Sequence, residues 1–168
     1  MKVLSVFITN LGKYNEGELV GKWIDLPMDK EEIKKAFDDI GINERYEEYF
    51  ITDYESDYGI EIGEYENVYA LSEKLEELEN EDADKVKAMF ESGWYSDIDE
   101  VIENVGYVDF IKGWTGEDYE EDLVANCYPE IENLTNSWID SYITIDYEEM
   151  ARDDDSMVET TEGVLYRI

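Results

Sequence analysis

The 168-residue chain contains no histidine, two prolines and a single cysteine, Cys127. Without histidine there is no Ser-His or Cys-His nucleophile pair, no histidine general base and no His-containing zinc site. One cysteine cannot form an intramolecular disulfide, which fits a reducing compartment. The composition therefore removes much catalytic chemistry and fits a cytoplasmic protein, and we predict no enzyme activity and no cofactor.

Long apolar runs are also missing, and none approaches the roughly 18 residues of a membrane span. The N-terminal stretch of residues 1–8 alternates and is too short for a signal peptide, so it predicts a strand. Anionic membrane leaflets would repel the surface of this chain, and we expect no membrane role.

Positive charge is scarce, because 13 Lys and Arg face 46 Asp and Glu, for a formal net charge of −33. Hydrophobic residues make up 43% and aromatic residues 14%, so the chain can bury real cores and is not a disordered acidic tail. Residues 1–60 hold 14 acids and 7 bases, whereas residues 61–110 and 111–168 hold 16 acids and 3 bases each. The negative charge is therefore interleaved with folded elements, where mutual repulsion costs stability.

Local patterns predict an α+β fold with mixed ends and a helical middle. Strands are expected at residues 3–8, 23–26, 49–52, 107–111 and 164–168. Ile33, Phe37 and Ile40 form a helical stripe ending at Gly41. These patterns suggest three regions: an N-terminal α+β domain (1–60), a helical middle domain (61–105) and a C-terminal α+β domain (106–168) that is a candidate dimerisation region.

Further helices are predicted from apolar stripes. Their apolar positions are Val68, Leu71, Leu75 and Leu78; Val86, Met89 and Phe90; Ile98, Val101, Ile102 and Val105; Tyr119 and Leu123; and Ile131, Leu134 and Trp138, after Pro129. Four pairs spaced as capping boxes predict helix starts: Asp29 with Glu32, Ser96 with Asp99, Thr115 with Asp118, and Asp146 with Glu149.

Two motifs resemble ligand sites without meeting their requirements. Asp53, Glu55, Asp57 and Glu64 have the spacing of a calcium loop, but Tyr58 occupies the position that requires glycine. The glycines at 12, 17 and 21 match neither the P-loop nor the dinucleotide fingerprint. We therefore expect an acidic loop and a turn, with no metal site.

Three interpretations of the charge remain: salt adaptation, an acidic partner or chaperone of a basic nucleic-acid-binding protein, and mimicry of DNA. Duplex DNA carries one charge per roughly 1.7 Å, so 33 charges match roughly 56 Å of duplex. A compact chain of this length has a radius of gyration of about 15 Å. Mimicry would therefore favour an elongated arrangement of several small subdomains.

Several segments resemble the ArdA family of antirestriction proteins carried by conjugative plasmids and transposons. Residues 13–17 are similar to the family's K-Y-N-x-G turn, and residues 21–26 to its G-x-W-x-D-L strand. Residues 48–55 resemble a second family segment. Residues 146–153 match D-Y-x-x-x-A-R-D, and residues 164–167 the closing strand; Asp154 and Asp155 stand where an apolar pair is expected.

The resemblance implies an elongated homodimer that mimics bent B-DNA and occupies the DNA groove of type I restriction–modification enzymes, without itself binding nucleic acid. It also implies that the glycines and Trp23 are structural, with Trp23 in a core. The candidate phosphate-mimicking acids are Glu73, Glu76, Glu77, Asp84, Asp97, Asp99, Glu100, Glu117, Asp118, Glu120, Glu121, Asp122, Asp146, Glu148, Glu149, Asp153 and Asp154. Candidate dimer residues, which could equally form an intramolecular core, are Tyr128, Ile131, Leu134, Trp138 and Ile139.

Overall fold

A computed structural model describes residues 3–131 and 138–168 of the chain. It divides the chain into two compact units, Met1–Glu103 and Asn104–Ile168. Each unit contains a three-stranded antiparallel sheet and packed helices, so the predicted α+β class is confirmed. The elongated shape and the division into three regions stay predictions.

The sheet of the first unit has the strand order β2-β1-β3. Its strands are β1 (Leu4–Asn10), β2 (Gly21–Leu26) and β3 (Tyr49–Ser56), which confirms the three predicted strands. The helix α1 (Leu11–Asn15) directly follows β1, and Asn10 caps it by accepting a hydrogen bond from the backbone N–H of Lys13. The central strand β1 pairs with both neighbours and is therefore the most buried of the three.

The helix α2 (Lys30–Asp39) turns its predicted apolar stripe into the core. Ile33, Phe37 and Ile40 are buried, and Gly41 ends the helix with a φ of +78°, a conformation that favours glycine. The predicted capping box is wrong, because the Asp29 side chain makes no capping hydrogen bond. The stability of α2 therefore comes from its buried apolar stripe and not from a side-chain cap.

Three more helices complete the first unit: α3 (Val68–Glu77), α4 (Ala83–Glu91) and α5 (Ile98–Asn104). The apolar stripe of α3 is buried as predicted, and the buried hydroxyl of Ser72 both donates to and accepts from the backbone of Met28. The start of α5 lies one residue later than predicted, because Asp97 accepts a hydrogen bond from the Glu100 backbone N–H at 3.0 Å. The first unit is thus a helix-covered sheet.

The second unit has a sheet of order β4-β6-β5. Its strands are β4 (Val108–Lys112), β5 (Met157–Glu159) and β6 (Gly163–Arg167). The helices α6 (Gly116–Cys127) and α7 (Tyr147–Asp153) pack against each other. The strands predicted at 107–111 and 164–168 are confirmed.

Short 3₁₀ turns cover Val105–Tyr107 and Asp140–Tyr142. Residues 129–131 are helical, as predicted, but Trp138 lies in a turn, so the predicted helix does not include it. Leu134 lies outside the described residues. Within residues 3–131 and 138–168, no helix is both long and apolar enough to cross a membrane.

Candidate functional site

The predicted phosphate-mimicking acids fall into three groups by exposure. Asp84 and Asp154 are half-buried, and Glu120 is buried with 2% of its surface exposed. The exposed members are Glu73, Glu76, Glu77, Asp97, Asp99, Glu100, Glu117, Asp118, Glu121, Asp122, Asp146, Glu148, Glu149 and Asp153. Most of the predicted acids are therefore held in solvent.

On α3 and α5, two acids have a nearby cation. The Lys30 ammonium lies 2.5 Å from a carboxylate oxygen of Glu73, and the Lys74 ammonium lies 2.6 Å from Asp99. These hydrogen bonds raise the pKa of both lysines above the ordinary value. Because these pairs lie in solvent, each contributes little to stability.

The exposed acids of the second unit are positioned by helix starts. Thr115 and Asp118 form the predicted capping box of α6: the Thr115 hydroxyl accepts from the Asp118 backbone N–H, and the Asp118 carboxylate accepts from the Thr115 backbone. Hydrogen bonds from the Thr115 backbone and hydroxyl lower the pKa of Asp118. Asp146 caps α7 by accepting from the Glu149 N–H at 2.9 Å, so that predicted helix start is also correct.

Glu120 does not fit the role of a surface phosphate substitute. Its neighbours along the buried side of α6 are Gly116 and Val124, one turn away in each direction. One carboxyl oxygen, Oε1, is buried without a hydrogen-bond partner among the described residues, while the side chain also hydrogen-bonds Asp154. Burial, together with this hydrogen bond and the charge of Asp154, raises the pKa of Glu120.

Asp154 shows the opposite behaviour. Burial acts to raise its pKa, but hydrogen bonds from the backbone and hydroxyl of Ser156 and from Glu120 outweigh it and lower the pKa. The Ser156 N–H and Oγ lie 2.7 and 2.9 Å from the two oxygens of Asp154. Of the two carboxyls, Asp154 therefore holds its negative charge more readily than Glu120 does.

The structure explains the calcium-loop-like motif and the glycine-rich motif in structural terms. Asp53 and Glu55 lie within strand β3, where the backbone is extended and does not wrap around a cation. Gly17 has a φ of +89°, which fits the turn predicted between α1 and β2. In the part of the chain that the structure describes, no three Asp, Glu or Cys side chains are arranged to hold a metal ion.

Trp23 is not a core residue, contrary to what the resemblance implied. Strand alternation buries Ile24 and Leu26 and turns Trp23 to the opposite face, where it is 42% exposed. It packs edge-to-face against Phe7, with ring centroids 5.4 Å apart. The alternation of Trp23, Ile24, Asp25 and Leu26 was a signal that could have placed it outside.

The candidate dimer residues that the structure describes range from half-buried to exposed. Tyr128 and Trp138 are 49% and 84% exposed, while Ile131 and Ile139 are half-buried. Tyr142, not predicted, is 80% exposed. Exposed aromatic side chains are typical of interfaces, and the dimer surface stays a prediction.

The fold and these side chains define a small, highly acidic α+β protein whose most abundant exposed functional groups are carboxylates. A family model described as "Antirestriction protein (ArdA)" matches residues 6–166, and the chain belongs to this family. A comparison with curated proteins gave no match. Family membership makes antirestriction its function and points to restriction–modification enzymes as its targets.

Proposed function

We propose that this protein mimics DNA and competitively occupies the DNA-binding groove of type I restriction–modification enzymes. The observation that carries the proposal is the placement of the predicted acids, most of which are exposed on packed helices and helix starts. Carboxylates fixed in this way need no ordering when a partner binds, so less conformational entropy is lost than with a flexible acidic tail.

Charge magnitude supports the same mechanism. The net charge of −33 cannot be neutralised internally, and the pairs formed by Lys30 with Glu73 and by Lys74 with Asp99 involve few of the 46 acids. A groove built to contact phosphates presents lysine and arginine, which these acids attract over a Debye length of about 8 Å at physiological ionic strength. The interaction should therefore weaken steeply as salt is added.

We further propose a homodimer formed through the second unit and acting in the bacterial cytoplasm, after entry of a conjugative element. The exposed rings of Tyr128, Trp138 and Tyr142 support a subunit contact there, because aromatic residues are enriched at interfaces. Sedimentation velocity of the full chain tests this, since a monomer at micromolar concentration would contradict it.

The decisive experiment measures binding of a type I enzyme and displacement of its DNA substrate in parallel, across a range of salt concentrations. We expect displacement to be competitive and both affinities to fall with salt. If the enzyme held the protein and its DNA together, mimicry would be wrong. Preferential binding to a basic histone-like protein would instead favour an acidic partner or chaperone.

A charge variant sharpens the test. Replacing Glu73, Glu76 and Glu77 of α3 by glutamine removes three exposed charges while retaining size. At about 0.5 kcal/mol for each exposed ionic contact, the enzyme should bind about tenfold more weakly. Each single substitution should cost only about twofold.

A further inference from the structure

The sheet of the first unit has an outer face that no function has yet been given. The core side of its strands carries Leu4, Val6 and Ile8 of β1 with Ile24 and Leu26 of β2, all buried. The residues between them face the other way: Ser5 and Thr9 of β1 are buried there, Phe7 is half-buried, and Trp23 and Asp25 of β2 are exposed. This second set, with its partners on β3, is called the outer face below.

An aromatic pair lies at the centre of the outer face. Phe7 is directly opposite Trp23 in the strand register, and the two rings pack edge-to-face. Trp23 keeps 42% of its surface in solvent. A large ring that is fixed by a neighbour yet accessible loses little conformational freedom on binding, which is why tryptophan is frequent among residues that dominate interface energies.

Carboxylates surround the pair on the same face. Asp53 of β3 is opposite Phe7, and Ser5 is flanked by Asp25 on one side and Glu55 on the other. Cross-strand neighbours have Cβ atoms about 5 Å apart, so Asp53 lies beside the Phe7 ring, while Asp25 lies two residues beyond Trp23 on the same face of β2. The Ser5 hydroxyl donates a hydrogen bond to Asp25, which fixes that carboxylate in place.

An exposed aromatic ring beside fixed carboxylates is suited to bind a planar cation. We propose that the outer face docks an arginine side chain of the restriction–modification enzyme, with the guanidinium over Trp23 and its N–H groups donating to Asp25, which lies two residues further along the same face of β2. Charge complementarity selects a cation, and the planar guanidinium both stacks on rings and binds carboxylates in a fixed geometry, unlike the ammonium of lysine.

The inference rests on the proposed function for the identity of the partner, and it adds a contact that DNA mimicry does not require. Exposed carboxylates lose their attraction as salt screens them, whereas the contact of a guanidinium with an indole ring retains its dispersion and desolvation components. The outer face should therefore account for binding that persists when salt has weakened the phosphate-like contacts.

The test compares the full-length variants Trp23→Ala, Trp23→Phe and Tyr65→Ala. Tyr65 is 74% exposed on the connection between β3 and α3, so it controls for loss of an exposed ring. At salt concentrations that screen the acids, we expect Trp23→Ala to bind the enzyme about tenfold more weakly, Trp23→Phe to lose less, and Tyr65→Ala to match the parent protein. Equal affinities of Trp23→Ala and Tyr65→Ala would refute the proposal.

A second measurement separates this inference from the proposed function. Short glycine–arginine and glycine–lysine peptides of equal charge are titrated into the parent protein, and the indole N–H signal of Trp23, assigned by its absence from Trp23→Phe, is followed by NMR. The inference requires the arginine peptide to shift that signal more than the lysine peptide does, and equal shifts would overturn it. Displacement of DNA from the enzyme by the parent protein is scored independently, and its failure would refute mimicry instead.

Discussion

Glu120 provides the sharpest test of the structure, because one substitution separates its two possible roles. Replacing it with glutamine keeps the shape of the side chain and removes its charge. The glutamine amide N–H can donate a hydrogen bond to Asp154 at every pH, whereas the carboxyl group of Glu120 can donate one only when it is protonated. If Glu120 were a surface phosphate substitute, the substitution would weaken binding to the enzyme; if it is a buried structural group, stability should change instead.

The expected gain in stability follows from burial. Glu120 is 2% exposed and its Oε1 atom has no partner among the described residues, so ionisation leaves a poorly solvated charge beside Asp154. A hydrogen bond to a charged group contributes about 1.5–3 kcal/mol, and a buried unsatisfied oxygen, which glutamine retains, costs about 1–3 kcal/mol. We therefore expect Glu120→Gln to raise the free energy of unfolding by about 1 kcal/mol at neutral pH, or the melting temperature by about 2–4 °C.

The pH dependence has a definite sign. The pKa of Glu120 is raised in the folded state, so above its ordinary value of 4.5 the unfolded chain holds fewer protons than the folded protein. The free energy of unfolding contributed by this group therefore falls as pH rises from that value through the folded pKa. The Glu120→Gln variant should lack this loss, and its advantage over the parent protein should shrink as pH falls through the folded pKa of Glu120 towards 4.5.

The assay is thermal unfolding followed by circular dichroism from pH 4 to pH 8, with enzyme binding measured at neutral pH. Glu121→Gln is the matched control, because the neighbouring side chain on α6 is exposed. The control should leave the melting temperature nearly unchanged and lower affinity slightly. The reasoning would be refuted if both variants behaved alike, or if Glu120→Gln were less stable than the parent at neutral pH.

Three further stability predictions follow from local geometry. Thr115→Ala removes the hydroxyl that caps α6 and should cost about 1 kcal/mol in urea unfolding. Gly163→Ala would place a Cβ 2.2 Å from the carbonyl oxygen of Ile111, so it should destabilise the protein by more than about 2 kcal/mol. The control is Gly106→Ala, which should be nearly neutral because a Cβ at this position would meet no other atom. Leu75→Ala empties a fully buried position on α3 and should cost about 3 kcal/mol, and a loss below about 1 kcal/mol would contradict that packing.

Elements with a strong apolar period were predictable from the sequence. The stripes of α2 and α3 identify their buried faces because each repeats the period of a helix, whereas β1 alternates in sequence but is buried on both faces. The start of α6 was also correct, since its capping box depends only on Thr115 and Asp118. At Asp29, by contrast, the same spacing failed, because a capping residue must also adopt a side-chain conformation that spacing does not reveal.

The candidate site was harder to predict because it depends on which of many similar residues turns inward. The sequence interpretation put Tyr119 and Leu123 on the inner side of α6, yet both are half-buried and the fully buried positions are Gly116, Glu120 and Val124. A glutamate in the buried row is disfavoured unless another group forms a hydrogen bond with it. The partner that does so, Asp154, is distant in sequence, so no local pattern indicates the pair.

The buried stripe of α3 determines where the exposed acids of this helix lie. While Val68, Leu71 and Leu75 stay buried, the helix cannot rotate about its axis, so Glu73 and Glu77 keep a fixed direction and a spacing of about 6 Å along it. Inserting one residue early in α3 would turn every later acid by about 100° while leaving the net charge at −33. The apolar residues therefore determine the direction in which the acids of α3 point. A mutation that changes no charge can still prevent an enzyme from binding this pattern of acids.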